Sequence, residues 1–181
     1  MEPVKKFTAK NGQEVIIRHA RPDDASGIID TVRSNAFERS YILMEHYGKD
    51  AESEKEYING LDTEKNLLAV ASADDEIVGC LAALQADGGR RPETTHVLRV
   101  GLHLKELVRG IGIGQNMLDY ALAWAVVKKF KKMEANIFTT NKRSLSMFKQ
   151  VGFEEEGVRQ NRIRMGRDFI SEVLVGKMLC K

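Results

Sequence analysis

The sequence has few cysteines, no long apolar run and almost no net charge, and each of these features excludes a class of protein. The two cysteines, Cys80 and Cys180, cannot form a disulfide framework or a zinc site, so we expect no metal and a cytoplasmic location. The apolar run at 120–127 is far below the ~20 residues that span a bilayer. The first residues lack the apolar segment of a signal peptide, and we expect no membrane partner.

The composition is that of one globular domain, which we expect to cover residues 1–181. Hydrophobic residues make up 43% of the chain and charged residues 30%. The net charge of +2 argues against a nucleic-acid partner. Lysines at 128–132 are interpreted as cations at a helix end, where they meet the negative end of the helix dipole. Four arginines are placed in a loop over 157–168, before the last strand: Arg159, Arg162, Arg164 and Arg167.

Apolar periodicity predicts an alternation of strands and helices without repeats. A strand over 96–104, a helix over 112–130 and a strand over 133–138 form one βαβ unit, whose two strands should be parallel. The other strands are arranged in hairpins, so the prediction is an α/β domain with a mixed, mostly antiparallel sheet. The remaining predicted strands cover 14–19, 66–72, 76–85, a segment from 153, and 169–179, and the remaining helices 21–37, 52–61 and 144–150.

A glycine-rich turn, Arg109–Gly114, lies where the βαβ helix begins. Glycines at a helix start let backbone N–H groups approach a phosphate, and the helix dipole favours an anion there. The dinucleotide pattern G-x-G-x-x-G fails because Gln115 or Met117 stands at its third glycine, and no lysine follows for a Walker A loop. Two interpretations stay open, a phosphate site of another kind and a turn that only packs the helix on the strand.

The remaining pattern is R-x-x-G-x-G, formed by Arg109, Gly112 and Gly114, and a second motif follows at 141–153, NKRSLSMFKQVGF, with EEEGV after it. Together they resemble the GNAT acetyltransferases, strongly over 96–179 and in the right order over 14–85. The resemblance implies a single GNAT domain whose parallel strands splay apart to admit acetyl-CoA as co-substrate. It implies direct acetyl transfer to a primary amine, on a small molecule or on a protein N-terminus or lysine. Relatives are often homodimers.

The resemblance also assigns roles to matching residues. The backbone of Leu102 and Leu104 would bind the acetyl carbonyl and the pantetheine arm, with the Leu104 N–H stabilising the oxyanion. The glycine turn would take the pyrophosphate, Asn141 the pantetheine, and Phe148 would lie beside the sulfur. The full set of predicted cofactor-binding residues is Leu102, His103, Leu104, Arg109, Gly110, Ile111, Gly112, Ile113, Gly114, Gln115, Asn141, Ser144, Met147 and Phe148.

The catalytic acid and base are less clear, since the chain departs from the pattern at two positions. Arg99 stands where many relatives carry a Glu base, and Phe148 stands where many carry a Tyr acid. His103 and Glu38 are the leading replacements, and proton transfer through water remains open. Arg99, Phe37 and Tyr41 are placed on the acceptor side, and the other base candidates are His96, Glu45 and His46. An alternative function is a sensor that binds acyl-CoA without turnover.

Overall fold

A computed structural model describes residues 4–37 and 48–179. Within these ranges the chain forms one eight-stranded sheet and four α-helices, with strand order β1-β2-β3-β4-β5-β6-β8-β7. The strands are β1 (Lys5–Thr8), β2 (Glu14–His19), β3 (Leu67–Ala73), β4 (Glu76–Gln85), β5 (Val97–Leu104), β6 (Lys132–Phe138), β7 (Glu154–Met165) and β8 (Asp168–Met178). The helices are α1 (Ala25–Phe37), α2 (Ala51–Gly60), α3 (Ile113–Val127) and α4 (Lys142–Gln150).

The βαβ unit predicted from the sequence is the centre of this sheet. Strands β5 and β6 are joined through α3 and pair in parallel, whereas every other described pair is antiparallel. Their parallel pairing is short, since it begins at Val97↔Lys132 and ends at Arg99↔Glu134. The mixed fold is therefore confirmed, and the two strands separate beyond Arg99.

The core has two parts, one on each face of the sheet. Helix α3 packs on one face with Met117 and Leu118, both fully buried, and helices α1 and α2 pack on the other. Strand β3 contributes to both, because Leu67 faces the α3 side and Leu68 the α1 side. A strand covered on both faces needs a continuous apolar run, which explains its sequence LLAVASA.

Two segments differ from the prediction. Strand β1 was not predicted, and the loop expected over 157–168 is largely the second half of β7, so Arg159, Arg162 and Arg164 lie on a strand and only Arg167 lies in the turn. Strand β7 is at the edge of the sheet and exposed along most of its length. Its side chains therefore show little of the apolar alternation by which a strand is recognised. No helix in the described ranges is long and apolar enough to cross a membrane.

The packing of α3 on the sheet should dominate stability. Leu118 is fully buried in the core on the α3 side, so Leu118→Ala should lower the free energy of unfolding by about 2–5 kcal/mol. Val127 on the same helix is 75% exposed, and Val127→Ala should change it by less than about 0.5 kcal/mol. Urea unfolding measures both, and equal losses would contradict this view of the core.

Candidate functional site

The separation of β5 and β6 opens a cavity of about 710 Å³. Its walls are the end of β5, the glycine turn, β6 and helix α4. Most of the residues predicted to bind a cofactor line it, namely Leu102, His103, Leu104, Arg109, Gly110, Gly112, Gly114, Gln115, Asn141, Ser144, Met147 and Phe148. Ile111 and Ile113 instead pack in the core, so only their backbone could face a ligand.

The backbone of β5 presents hydrogen-bonding groups to this gap. The Lys105 N–H donates to the Val78 carbonyl of β4 at 2.9 Å, and the register is regular along the pair. Since hydrogen-bonding directions alternate along an antiparallel strand, the N–H and C=O groups of Leu102 and Leu104 point away from β4, toward the gap. Strand β6 does not pair with them. An extended ligand could therefore bind there as an added strand does.

The glycine turn has the local geometry of an anion site. Gly110 and Gly112 adopt φ angles of +85° and +99°, which residues with a side chain rarely adopt. Gly112 is also the N-cap of α3. Gly114 allows a close approach, because a Cβ there would lie 2.8 Å from the Met147 sulfur. The first N–H groups of α3 have no acceptor within their own helix, and the helix dipole favours an anion beside them.

The charges around the cavity agree with this geometry. Among the described residues that line it, Lys10, Arg109 and Arg143 are cationic and none is a carboxylate. Lys10 comes from the β1–β2 turn, and its backbone N–H donates to the Ile111 carbonyl at 3.1 Å, which places it against the glycine turn. The resulting field favours a polyanionic ligand at this end. The described part of the chain holds no cluster of three or more His, Cys, Asp or Glu side chains that could bind a metal.

Helix α4 forms the opposite wall. Asn141 is its N-cap, and the Asn141 side-chain oxygen accepts a hydrogen bond from the Ser144 N–H at 3.0 Å. This bond orients the Asn141 amide while the residue lines the cavity. Phe148 is 4% exposed and contacts Phe153 edge to face, with ring centroids 4.9 Å apart. Its ring is an apolar wall without a proton to donate.

His103 lines the cavity from β5 and directly precedes Leu104, the predicted oxyanion donor. It lies on the same face of β5 as Arg99, since no bulge interrupts their register with β4. Burial lowers the pKa of the His103 imidazole below its ordinary value. The imidazole is therefore neutral near pH 7, the state that can accept a proton.

The other predicted catalytic and acceptor residues are placed differently. Arg99 forms an ion pair with Glu134 of β6, with 2.8 Å between Nη2 and Oε1, and it does not line the cavity. His96 is exposed and precedes β5, at the end of the strand remote from the glycine turn. Phe37 ends α1, but its side chain lies outside the described residues, as do Glu38, Tyr41, Glu45 and His46.

The Arg109 side chain lines the cavity and is bound to two other groups of the protein. Its Nε and Nη2 groups donate to the Leu104 carbonyl at 3.1 and 2.9 Å, and Nη2 also donates to the Asn35 side-chain oxygen at 3.1 Å. Asn35, Lys10 and Asn136 line the cavity but were not predicted. Asn35 and Lys10 are distant in sequence from the glycine turn, so no local spacing points to them.

A family model described as the acetyltransferase (GNAT) family matches residues 34–153, more than half of the chain. The chain belongs to this family. The predicted resemblance is thus confirmed, and the matched range contains the glycine turn and the motif at 141–153.

Individual GNAT relatives support this assignment. YwnH of Bacillus subtilis (strain 168), which is named a putative phosphinothricin acetyltransferase, is 32% identical to this chain over 107 residues. The matched region covers 59% of this chain and 64% of YwnH, so this chain spans less than two thirds of that relative. A GNAT acetyltransferase from Streptococcus pneumoniae superposes with a TM-score of 0.84 at 18% identity, covering 91% of this chain and 98% of the other. A GNAT phosphinothricin acetyltransferase from Sinorhizobium meliloti, solved with AcCoA, has a TM-score of 0.82 at 17% identity, covering 95% and 89%. At these structural identities the likeness concerns the fold.

The position of Lys10 beside the glycine turn allows a test of whether this end of the cavity binds the phosphates of coenzyme A. An exposed cation beside a phosphate contributes about 1 kcal/mol, so Lys10→Gln should weaken coenzyme A binding roughly fivefold and reduce its salt dependence. Lys6, exposed on β1 and outside the cavity, supplies the control Lys6→Gln. Isothermal titration calorimetry measures both, and equal affinities would remove Lys10 from the site.

Proposed function

We propose that this protein transfers the acetyl group of acetyl-CoA directly to a primary amine. The observation that carries the proposal is one continuous cavity, which joins a cationic glycine turn to the open backbone edge of β5. When bound, acetyl-CoA would supply a thioester whose acetyl carbon is attacked by the amine, with release of the thiol. What the protein must provide is binding of the phosphates, donors for the carbonyl oxygen and a route for the proton.

The phosphates are assigned to the turn end of the cavity. The N–H groups that begin α3, together with Lys10 and Arg143, would hold the pyrophosphate and the neighbouring phosphate. Asn141 and the Leu102 carbonyl would bind the pantetheine arm along the gap, since the Leu104 carbonyl accepts from Arg109 and Asn35. The cavity contains the two features that this ligand needs, a polyanion site and a strand-like edge.

The carbonyl oxygen is assigned to the backbone of β5. The N–H groups of Leu104, the predicted donor, and Leu102 both face the gap, and donors held in place by a strand require little reorganisation when negative charge develops. The wall formed by Phe148 and Met147 keeps water away from this part of the cavity, which strengthens such hydrogen bonds.

His103 is assigned as the group that receives the amine proton, directly or through one water. Among the described residues lining the cavity, it is the one whose side chain can act as a neutral base, since the other ionisable side chains are the cations of Lys10, Arg109 and Arg143. Glu38 stays a second candidate base by sequence position. Since Phe148 has no hydroxyl, the proton taken up by the thiolate is assigned to water or to the protonated His103.

The acceptor is proposed to be a small-molecule amine, with protein N-termini and lysines as the alternatives. Two relatives carry names that refer to phosphinothricin, which makes this compound the first acceptor to test. A single domain over 1–181, a homodimer and a cytoplasmic location remain predictions, which light scattering and cell fractionation would test.

Release of free thiol from acetyl-CoA in the presence of an amine library tests the activity, and mass spectrometry of the product identifies the bond. Gly112→Glu should abolish both binding and transfer, because a carboxylate would stand beside the phosphates. Gly112→Ala is the matched control: it carries the same strain of a positive φ without the charge, and a Cβ at this position would only touch Asn116 Nδ2, at 3.9 Å.

Two outcomes would contradict the proposal in different ways. Cofactor binding without thiol release for any amine would favour the acyl-CoA sensor, a function consistent with the missing hydroxyl at Phe148. Unchanged affinity in Gly112→Glu would instead remove the phosphate site from the glycine turn.

The role of His103 is testable through pH. Only the neutral imidazole accepts a proton, and burial lowers the pKa of His103. As the pH is lowered, kcat/KM should therefore stay constant past pH ~6.5 and fall only at more acidic pH. His103→Gln should lower kcat/KM by about 100-fold or more and remove this acidic limb. An unchanged pH profile in His103→Gln would assign the proton to another group.

A further inference from the structure

The side chains of Arg109 and Asn35 converge on a single backbone oxygen at the end of β5. Arg109 reaches the Leu104 carbonyl with Nε and Nη2, at 3.1 and 2.9 Å. Asn35, in the last turn of α1, donates to the same oxygen from Nδ2 at 3.0 Å. All of these groups are partly buried, so the bonds are less weakened by solvent than surface contacts.

The two side chains also bind one another, which fixes their orientation. The Asn35 Oδ1 accepts from Arg109 Nη2 at 3.1 Å, while its Nδ2 also donates to the Thr31 carbonyl of α1 at 2.8 Å. A flipped Asn35 amide would set its NH₂ group against the guanidinium, donor against donor. The network therefore connects α1, the glycine turn and the end of β5 in one arrangement.

Leu104 needs such support because of its place in the sheet. The parallel pairing with β6 ends at Arg99, so the gap side of β5 has no neighbouring strand from there to Leu104. Among the described strands, β4 alone holds this part of β5 by backbone hydrogen bonds. Arg109 and Asn35 donate hydrogen bonds to the Leu104 carbonyl on this side, in the place of a neighbouring strand.

We infer that Arg109 and Asn35 are a positioning pair, which holds the open end of β5 so that its N–H groups stay aimed at the acyl carbonyl. The first residue of the R-x-x-G-x-G pattern thus acts here on the strand, and the phosphates are bound by backbone N–H groups, Lys10 and Arg143. The inference rests on the proposed function for its catalytic consequence, and on the observed bonds for the rest.

The pair also links the two sides of the site. Asn35 lies two residues before the end of α1, the helix that leads into the predicted acceptor wall. Arg109 opens the turn that binds the cofactor phosphates.

The experiment compares coenzyme A affinity with kcat in Arg109→Lys and Asn35→Leu. Lysine keeps the positive charge but lacks the planar fork that bridges Leu104 and Asn35, and leucine removes the Asn35 hydrogen bonds at similar volume. A positioning pair predicts a fall in kcat of about tenfold or more in each variant, since small misplacements of reacting groups are costly, with coenzyme A affinity changed less than about twofold. The double variant should lose no more than the worse single one.

A contrasting variant and a fold check complete the design. Lys6→Gln, exposed on β1 and outside the cavity, should change neither coenzyme A affinity nor kcat, whereas Lys10→Gln should weaken coenzyme A binding. Thermal unfolding and circular dichroism establish which variants fold, and if Arg109→Lys does not, Asn35→Leu alone decides between the same outcomes, because it lies outside the phosphate motif.

Weaker coenzyme A binding in Arg109→Lys with kcat unchanged, or fully additive losses in the double variant, would overturn the inference. Failure of the proposed function is recognised separately, since the wild type would then release no thiol. The affinity comparison still stands in that case: unchanged coenzyme A binding in Arg109→Lys supports the positioning role, and a tenfold loss refutes it.

Discussion

The short parallel pairing between β5 and β6 is the constraint on which the candidate site depends. Hydrogen bonds join the two strands only as far as Arg99 and Glu134, and an ion pair between these side chains marks the last paired position. Beyond it β5 has no strand partner on this side in the described ranges, and of the groups there the Leu104 carbonyl is held by Arg109 and Asn35. An unpaired strand edge inside a cavity is an unsatisfied donor and acceptor array, which a ligand with amide groups can complete.

The rest of the architecture keeps this gap open and usable. Helix α3 crosses one face of the sheet and places its N-terminus at the end of β5, so the proposed anion site and the open edge are neighbours. Gly114 lets α3 pack closely against Met147 of α4 and against Leu102 and Leu104 of β5, so that these residues form one side of the gap. Stability and binding therefore share residues, as the same helix fills the core and presents its first N–H groups to the cavity.

The two ends of the cavity differ in the chemistry they can support. The turn end is cationic and suits a polyanion, whereas the end near β5 is bounded by a neutral imidazole, backbone N–H groups and an aromatic ring. With neither a carboxylate at position 99 nor a hydroxyl at position 148, catalysis in such a site relies on alignment and on fixed dipoles. Precise placement of the β5 edge then matters more than any single acid or base.

Local features of the site were readable from the sequence. The helix start at Gly112 and the apolar face of α3 each depend on residues a few positions apart, and their spacing is visible in one dimension. Helix α4 begins at Lys142, two residues before the predicted start, with Asn141 as its N-cap. Strand β7 was partly mistaken for a loop because an edge strand has too little buried surface to impose an alternating pattern. The R-x-x-G-x-G pattern identified Arg109, but the pattern does not specify which groups a long side chain contacts.

By itself, the sequence determined the family, the βαβ unit and the glycine turn, since short-range periodicity and backbone conformation are encoded by neighbouring residues. Only the tertiary structure decided that Arg109 meets Asn35 and Leu104, that Arg99 is neutralised by Glu134, and that Lys10 joins the glycine turn. These contacts join residues that are tens of positions apart along the chain, apart from the Arg109–Leu104 bond. They form only when the sheet brings distant strands, turns and helices to the same edge.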